Sequence, residues 1–316
     1  LERLDCLGRA RSRPIRCHLK LETGTWRQGV LEENLPRFLE IFRNSPGVEL
    51  AGVSTHFANI EDTTDRSYAR EQLARFDRMA RVARTSGFPG AQRHASCTAA
   101  LLTMPETGFE LARLGIGAYG LWPSRETLAS TRARLDEAMT LRPVLSWKTR
   151  AVQVKNVPAG AYIGYGCTHR VTRPTRLVVI PVGYADGYDR SLSGQSHVLI
   201  RGVRAPVLGR ICMNLFMADA TDVGEFGPGE EIALIGEQGA ERIGAADLAQ
   251  LAQTIPYEIV TRLSPAIPRL AVLEGGRVAD LSARRPDGGD LRWAGGPGGP
   301  PSSWGGLSGS LPPEGA

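Results

Sequence analysis

The sequence predicts a parallel β/α barrel followed by a small antiparallel β domain. Three observations carry that prediction. Strand, loop and helix patterns repeat in that order through residues 1–138. Polar residues cluster just after the strands. From residue 139 to 275 the helical period gives way to short β-rich runs broken by Gly, Pro and Asp. Parallel strands need helices to cover the sheet, so repeated β/α units are the economical arrangement of the first part.

Taken in order, residues 15–23 (IRCHLKLET) alternate and run into Gly24, a strand feeding a turn. In LEENLPRFLEIFRN the apolar residues Leu31, Leu35, Phe38, Leu39 and Phe42 have helical spacing, with Pro36 inside the segment. Residues 48–57 (VELAGVSTHF) read as a strand ending in a polar cluster. Residues 70–84 read as an amphipathic helix. Leu73, Phe76, Ala80 and Ala83 share one face, Met79 lies beside it and Asp77 falls off it into solvent. AQRHASCTAALL reads as a strand end, a polar loop and a short helix, and FELARLGIGAYGL as a strand end entering a glycine-rich turn. The opening LERLDCLGRARSRP offers neither a helix cap nor strand alternation and begins with Leu, so the chain is expected to start inside a longer protein. In the second part helical period returns only at IGAADLAQLAQTIPYEIVTRL. Residues 282–316 are Gly/Pro-rich with few apolar side chains, and disorder is expected there.

Composition narrows the function classes. The net charge is +5, carried almost wholly by arginine, since the lysines are Lys20, Lys148 and Lys155 alone. The arginines are scattered and aromatics make up 6%, a poor footprint for nucleic acid and a reasonable one for small anions. The five cysteines have no ligand-like spacing and an odd count, which fits a reducing, cytoplasmic compartment and no structural metal. No apolar run is long enough to span a membrane. Nucleophile-elbow, Walker and HExxH motifs are missing, so hydrolase and metalloenzyme classes have little support.

The polar clusters after the strands are Thr23 with Arg27, His56 with Asn59, His94 with Ser96 and Thr98, and Arg113 with Gly115. In a β/α barrel they form the ligand-binding rim. Arg27 suits two-pronged recognition of a carboxylate, or is an ordinary surface arginine. Lys20 is either solvated or close to Arg27, where it would be repelled unless an anion intervenes. RLGIGAYG offers the backbone N–H groups of Gly115 and Ile116 to a phosphate. Its G-x-G-x-x-G spacing lacks the acidic residue and the helix of a dinucleotide site. Thr98 either adds a hydroxyl to a phosphate or caps its own helix. Tyr165, between Gly164 and Gly166, owes its position to a turn and not to a packed element.

Together these segments resemble the pyridoxal-phosphate-dependent alanine racemases. HLKLETGTWRQGV, STHFANIED, RHASCTAAL, RLGIGAYG, GYG, PVGYADGY, GRICMN and PYEIVTRLSPAIPR follow in family order across about residues 15–272. The resemblance implies a TIM-like α/β barrel, a C-terminal antiparallel β domain and a head-to-tail homodimer. It implies two-base racemisation of L- and D-alanine in the cytoplasm, supplying D-alanine for bacterial peptidoglycan, with no metal, membrane or nucleic-acid partner. Carried over by position, Tyr165 is the catalytic tyrosine and His56 the histidine beside cofactor and tyrosine. Arg113 faces the pyridine nitrogen and His94 supports it. Thr98, Gly115, Ile116 and Tyr257 hold the phosphate. Arg27 and the Met213 N–H hold the substrate carboxylate, Tyr184 and Asn214 line the site, and Lys20 matches a lysine that is often carbamylated.

The departures are also part of the reading. Asn214 stands where the family usually has Asp, Cys97 and Leu114 replace Asn or Ser and Pro, and Glu22, Thr25 and Gly164 replace Asp, Met and Ser. Nothing matches the family's early segment carrying the cofactor lysine, so the barrel is expected to be N-terminally incomplete. A truncated or degenerate homologue without activity, or a non-catalytic dimeric scaffold, are the alternatives.

Overall fold

The computed structural model describes residues 1–135, 139–272 and 278–280. The expected tail, 282–316, lies outside the described residues, as does residue 138 at the expected domain boundary.

The opening segment forms a helix, α1 (Glu2–Ala10), which corrects the expectation of no element there. Its first residue provides no side-chain cap. The signal lies instead in a tertiary contact: Asp5 Oδ1 accepts the Gly47 N–H at 2.6 Å, while Arg9 pairs with Asp5 Oδ2 at 2.8 Å. Gly8 lets the helix rest on Gly47, because a Cβ at position 8 would stand 1.8 Å from the Gly47 carbonyl oxygen.

Next come β1 (Ile15–Lys20), α2 (Leu35–Arg43), β2 (Val48–Ser54), α3 (Ser67–Thr85), β3 (Gln92–His94), α4 (Thr98–Thr103) and α5 (Arg125–Leu135). Pro36 sits in the first turn of α2, where a missing N–H does no harm. β1, β2 and β3 lie side by side in a parallel sheet, and Leu19, Leu21, Leu50 and Val53 pack against Leu39, Phe42, Phe76 and Met79 from the covering helices. The face expected of α3 is buried at Phe76, Met79, Ala80 and Ala83, while Leu73 is half-buried. Asp77 is only half-exposed, with Arg93 4.0 Å away. The strand end expected around residues 109–114 does not form. That segment follows β3 with two long backbone bonds, Leu111 N–H to Arg93 O at 3.3 Å and Arg113 N–H to Ser96 O at 3.4 Å, too sparse for a ladder.

The second part is antiparallel, as expected. Its strands are β4 (Trp147–Arg150), β5 (Gln153–Val157), β6 (Tyr162–Ile163), β7 (His169–Arg170), β8 (Thr175–Ile180), β9 (His197–Ile200), β10 (Val203–Leu208), β11 (Phe216–Asp219), β12 (Glu231–Gln238) and β13 (Glu241–Ile243). Eight of them form one sheet in the order β13-β12-β9-β10-β11-β8-β5, with β4 also on β12, while β6 and β7 make a separate hairpin. The helices α6 (Ala245–Leu251) and α7 (Pro256–Arg262) close one side, and β14 (Leu270–Val272) pairs with β15 (Val278–Asp280). Ile116 and Leu121, from the glycine-rich turn after β3, are buried in this second core beside Val182 and Tyr188. That packing fixes the turn at the seam between the two parts.

Candidate active site

The ends of β1, β2 and β3 open onto three polar loops. The first is stiffened by Glu22, whose carboxylate accepts the Gly24 N–H at 2.6 Å and the Thr25 N–H at 2.7 Å. Burial alone would raise this carboxyl; the surrounding backbone N–H groups of residues 24–27 outweigh it and hold Glu22 below its usual range. The loop is also tied to the second strand end. Thr23 and Thr55 share a hydroxyl–hydroxyl bond of 2.6 Å, and Thr25 donates to the His56 carbonyl at 2.6 Å. Gln72, buried on α3, accepts the Ala58 N–H at 2.8 Å and donates to the His56 carbonyl at 3.1 Å.

Positive charge prevails in this region, with Glu22 as the opposing carboxylate. Burial, then Arg113 and Arg27, push the Lys20 ammonium below its ordinary value, so Lys20 does lie within reach of Arg27. Burial, followed by Lys20, Arg113 and Arg27, pushes His56 down to about 4, and His56 is neutral at pH 7. Positive groups gathered in this way favour an anion.

Arg113 is held by four bonds. Its Nη1 donates to His94 Nδ1 at 2.6 Å and to the His94 carbonyl at 2.9 Å. Its Nη2 donates to the carbonyls of Thr55 at 2.7 Å and Ala95 at 3.1 Å. Both terminal amino groups are thereby occupied, and Nε–H is the donor left for a ligand. His94 is buried and pushed down to about 4, by burial first and then by Arg113.

The expected phosphate contacts gather at the seam, in an arrangement the sequence did not foretell. Thr98 does not cap its own helix. Its hydroxyl accepts the N–H groups of Gly115 at 3.1 Å and Gly117 at 3.2 Å. The Gly115 amide is therefore turned to Thr98, not to open space. Tyr257 donates its hydroxyl to Glu61 Oε1 at 3.0 Å. Burial and the Glu61 charge push this phenol upward. The Glu61 carbonyl is in turn held by the hydroxyls of Ser124 and Thr127. The Ser96 hydroxyl is buried without a partner among the described residues, an open polar position in the wall of this loop.

Tyr165 stands elsewhere, at the tip of the β6–β7 hairpin. Gly164 and Gly166 have φ of 74° and 76°, values that suit glycine, and Cys167 follows at 50°. A Cβ at Gly166 would also stand 3.0 Å from the Arg210 guanidinium, which would have to move aside. The hairpin is anchored through Ile163, buried against Leu208 and Met217, while Tyr165 is 72% exposed. Around it lies a cavity of about 740 Å³ lined by Tyr184, Arg190, Arg210, Cys212, Met213 and Asn214, among others. The Met213 carbonyl accepts the Ala185 N–H at 3.0 Å, and a side chain at Gly183 would strike that carbonyl.

The structure thus gathers the expected residues into two sets. Lys20, Arg27, His56, His94, Thr98, Arg113, Gly115, Ile116 and Tyr257 form one, and Tyr165, Tyr184, Met213 and Asn214 the other. Among the described residues no bond joins Tyr165 to His56. Glu61, Gln72, Arg190 and Arg210 were missed. Glu61 and Arg210 lie inside the quoted STHFANIED and GRICMN segments, and Gln72 is a polar residue on the face shared by Ala69, Phe76 and Met79.

Residues 1–123 match the family described as alanine racemase, N-terminal domain, and residues 144–271 the family described as alanine racemase, C-terminal domain. The alanine racemase of Leptospira interrogans serovar copenhageni is 40% identical over 255 residues, 81% of this chain and 65% of its own length. The chain therefore spans about two thirds of such relatives. The alanine racemase from Bacillus anthracis with bound L-Ala-P superposes with a TM-score of 0.77 at 32% identity, covering 88% of this chain and 70% of that one. The alanine racemase from Bartonella henselae with covalently bound pyridoxal phosphate gives 0.68 at 25% identity, over 83% and 68% of the two chains.

Proposed function

This chain belongs to the alanine racemase family, and on that premise we propose that it acts in the pyridoxal 5′-phosphate-dependent interconversion of L- and D-alanine, as a head-to-tail homodimer in the cytoplasm. The observation that carries the proposal is Arg113. With both terminal amino groups bound to the protein, its Nε–H is the one donor left, and a guanidinium can only donate. A ring nitrogen placed there has to accept, and so stays unprotonated. The basic surroundings of Lys20, Arg27 and Arg113 and the unpartnered Ser96 hydroxyl also suit an anionic, polar group.

Thr98, Gly115, Ile116 and Tyr257 would hold the phosphate, with Tyr257 released from Glu61 and the Gly115 N–H from Thr98 to do so. When bound, the cofactor supplies an electron-withdrawing ring that acidifies the α-carbon of the amino acid. Arg27 offers two parallel donors to the substrate carboxylate, and the Met213 N–H a third from a second copy. Lys20, carbamylated, would carry a negative charge between itself and Arg27 and remove their repulsion. Tyr165 of the second copy would take or return the α-proton on one face, with neutral His56 as a hydrogen-bond acceptor beside it. Tyr184 and Asn214 would line the entrance. The second base, a cofactor lysine, has no counterpart among the motifs of this chain. D-alanine for peptidoglycan is the use this activity would serve.

The test titrates the purified chain with pyridoxal 5′-phosphate and follows visible absorbance, then measures D-alanine formed from L-alanine. Uptake at micromolar levels, weakened roughly tenfold or more by Arg113→Leu, supports the reading. Conversion is measured with the segment carrying the cofactor lysine supplied; uptake without conversion would then favour the degenerate homologue, and no uptake at all would end the proposal.

A further inference from the structure

His18 has no part in the chemistry proposed above, yet it is tied to it. It lies on β1, on the face opposite the buried Leu19, and its ring is exposed on the free side. Its Nδ1 stands 2.7 Å from His94 Nε2, with ring centroids 4.8 Å apart and planes at 68°. Since β2 runs between β1 and β3, the two imidazoles meet across an intervening strand.

Gly52 makes that possible. It pairs with His18 on one side and Gln92 on the other. A Cβ at this position would stand 2.4 Å from His18 Nδ1 and 2.7 Å from the Gln92 carbonyl oxygen. The β1–β2 register also slips between Cys17 and His18, which brings His18 opposite the glycine. A glycine inside a central strand and a bulge both weaken a sheet, and here both serve one contact.

The contact has a direction. Arg113 donates to His94 Nδ1, so neutral His94 carries its proton on Nε2. That Nε2–H points at His18 Nδ1, which therefore accepts, leaving the His18 proton on its own Nε2. An imidazole that donates from one nitrogen becomes a better acceptor at the other, and its ring can no longer turn.

We propose that His18 is a positioning residue: by accepting the His94 Nε2–H across Gly52, it locks the ring that holds Arg113 and thereby aims the free guanidinium N–H. What that N–H meets rests on the proposed function; the Arg113–His94–His18 relay does not.

The experiment uses the whole chain, free of cofactor and labelled with 15N-histidine, which gives only five imidazoles to assign. The expected result is a bare Nδ1 and a protonated Nε2 on His94, with a coupling across the hydrogen bond to His18 Nδ1 and slow exchange of that proton. In His18→Asn the side-chain oxygen replaces Nδ1 as acceptor, so slow exchange is retained. In His18→Phe it is lost, and Gly52→Ala causes the same loss with His18 still present. A His94 protonated on Nδ1, or equal protection in His18→Phe, would overturn the proposal. Should either variant fail to fold, the wild-type coupling decides it. A chain that shows the coupling but takes up no pyridoxal 5′-phosphate keeps the relay and loses the functional reading.

Discussion

Between Gly164 and Gly166 the Tyr165 phenol stands clear of its own chain, and its removal should be felt in chemistry and not in folding. In a protein that also carries the cofactor lysine, Tyr165→Phe is expected to leave circular dichroism unchanged and to lower racemisation by roughly 10²-fold or more. In D2O, α-proton exchange should persist for one enantiomer and vanish for the other; equal exchange from both would remove Tyr165 from the reaction. Asn214 lines the same cavity. An Asp there accepts with both oxygens and carries charge. Asn214→Asp should raise kcat/KM by about tenfold, or about 1.4 kcal/mol, and an unchanged value would show that the chain has compensated. At this scale the sequence was legible for some residues inside a dense motif and not for others. Arg113 with His94 and Tyr165 with its glycines could be read as units. Glu61 and His18 could not, because their partners, Tyr257 and His94, lie far along the chain and are brought near only by the fold.

Among the elements, α1 is instructive because nothing local announces it. Its Leu1 cap position offers no side-chain oxygen, yet Asp5 is buried and accepts the N–H of buried Gly47. Asp5→Ala should leave that N–H without a partner and destabilise the docked helix. The cost should appear as a lower denaturation midpoint with an unchanged slope, and a null effect would mean that α1 is not docked. Helix α3 was legible from its apolar spacing, and the parallel strands from their alternation. The segment before Arg113 was not, since it has the composition of a strand but follows β3 through two long bonds only. Whether such a run joins a ladder depends on its neighbour, which no local pattern records.

For the molecule as a whole, buried His94 and half-buried His56 set an acid limit. His56 and His94 are pushed to about 4, so between about pH 6.5 and 4 the unfolded chain binds protons that the folded chain refuses. Stability should therefore fall as pH drops through that window and be flat above it. Melting curves at pH 7.5 and 5 should show the lower midpoint at pH 5, and His94→Asn should narrow the gap. The order β/α units then antiparallel sheet was readable because each part has its own hydrophobic period. The meeting of the two parts was not, since it depends on Ile116 and Leu121 leaving the first part to be buried in the second.

The separation of the expected residues into a barrel set and a hairpin set has a genetic consequence. If each working site takes one set from each of two copies, two defective alleles can rescue one another. A dimer of one Arg113→Leu chain and one Tyr165→Phe chain would hold one site with both lesions and one with neither. Random pairing of the two chains in equal amounts should then restore about a quarter of the wild-type rate from two preparations that have almost none. If each chain built its site alone, mixing would restore nothing.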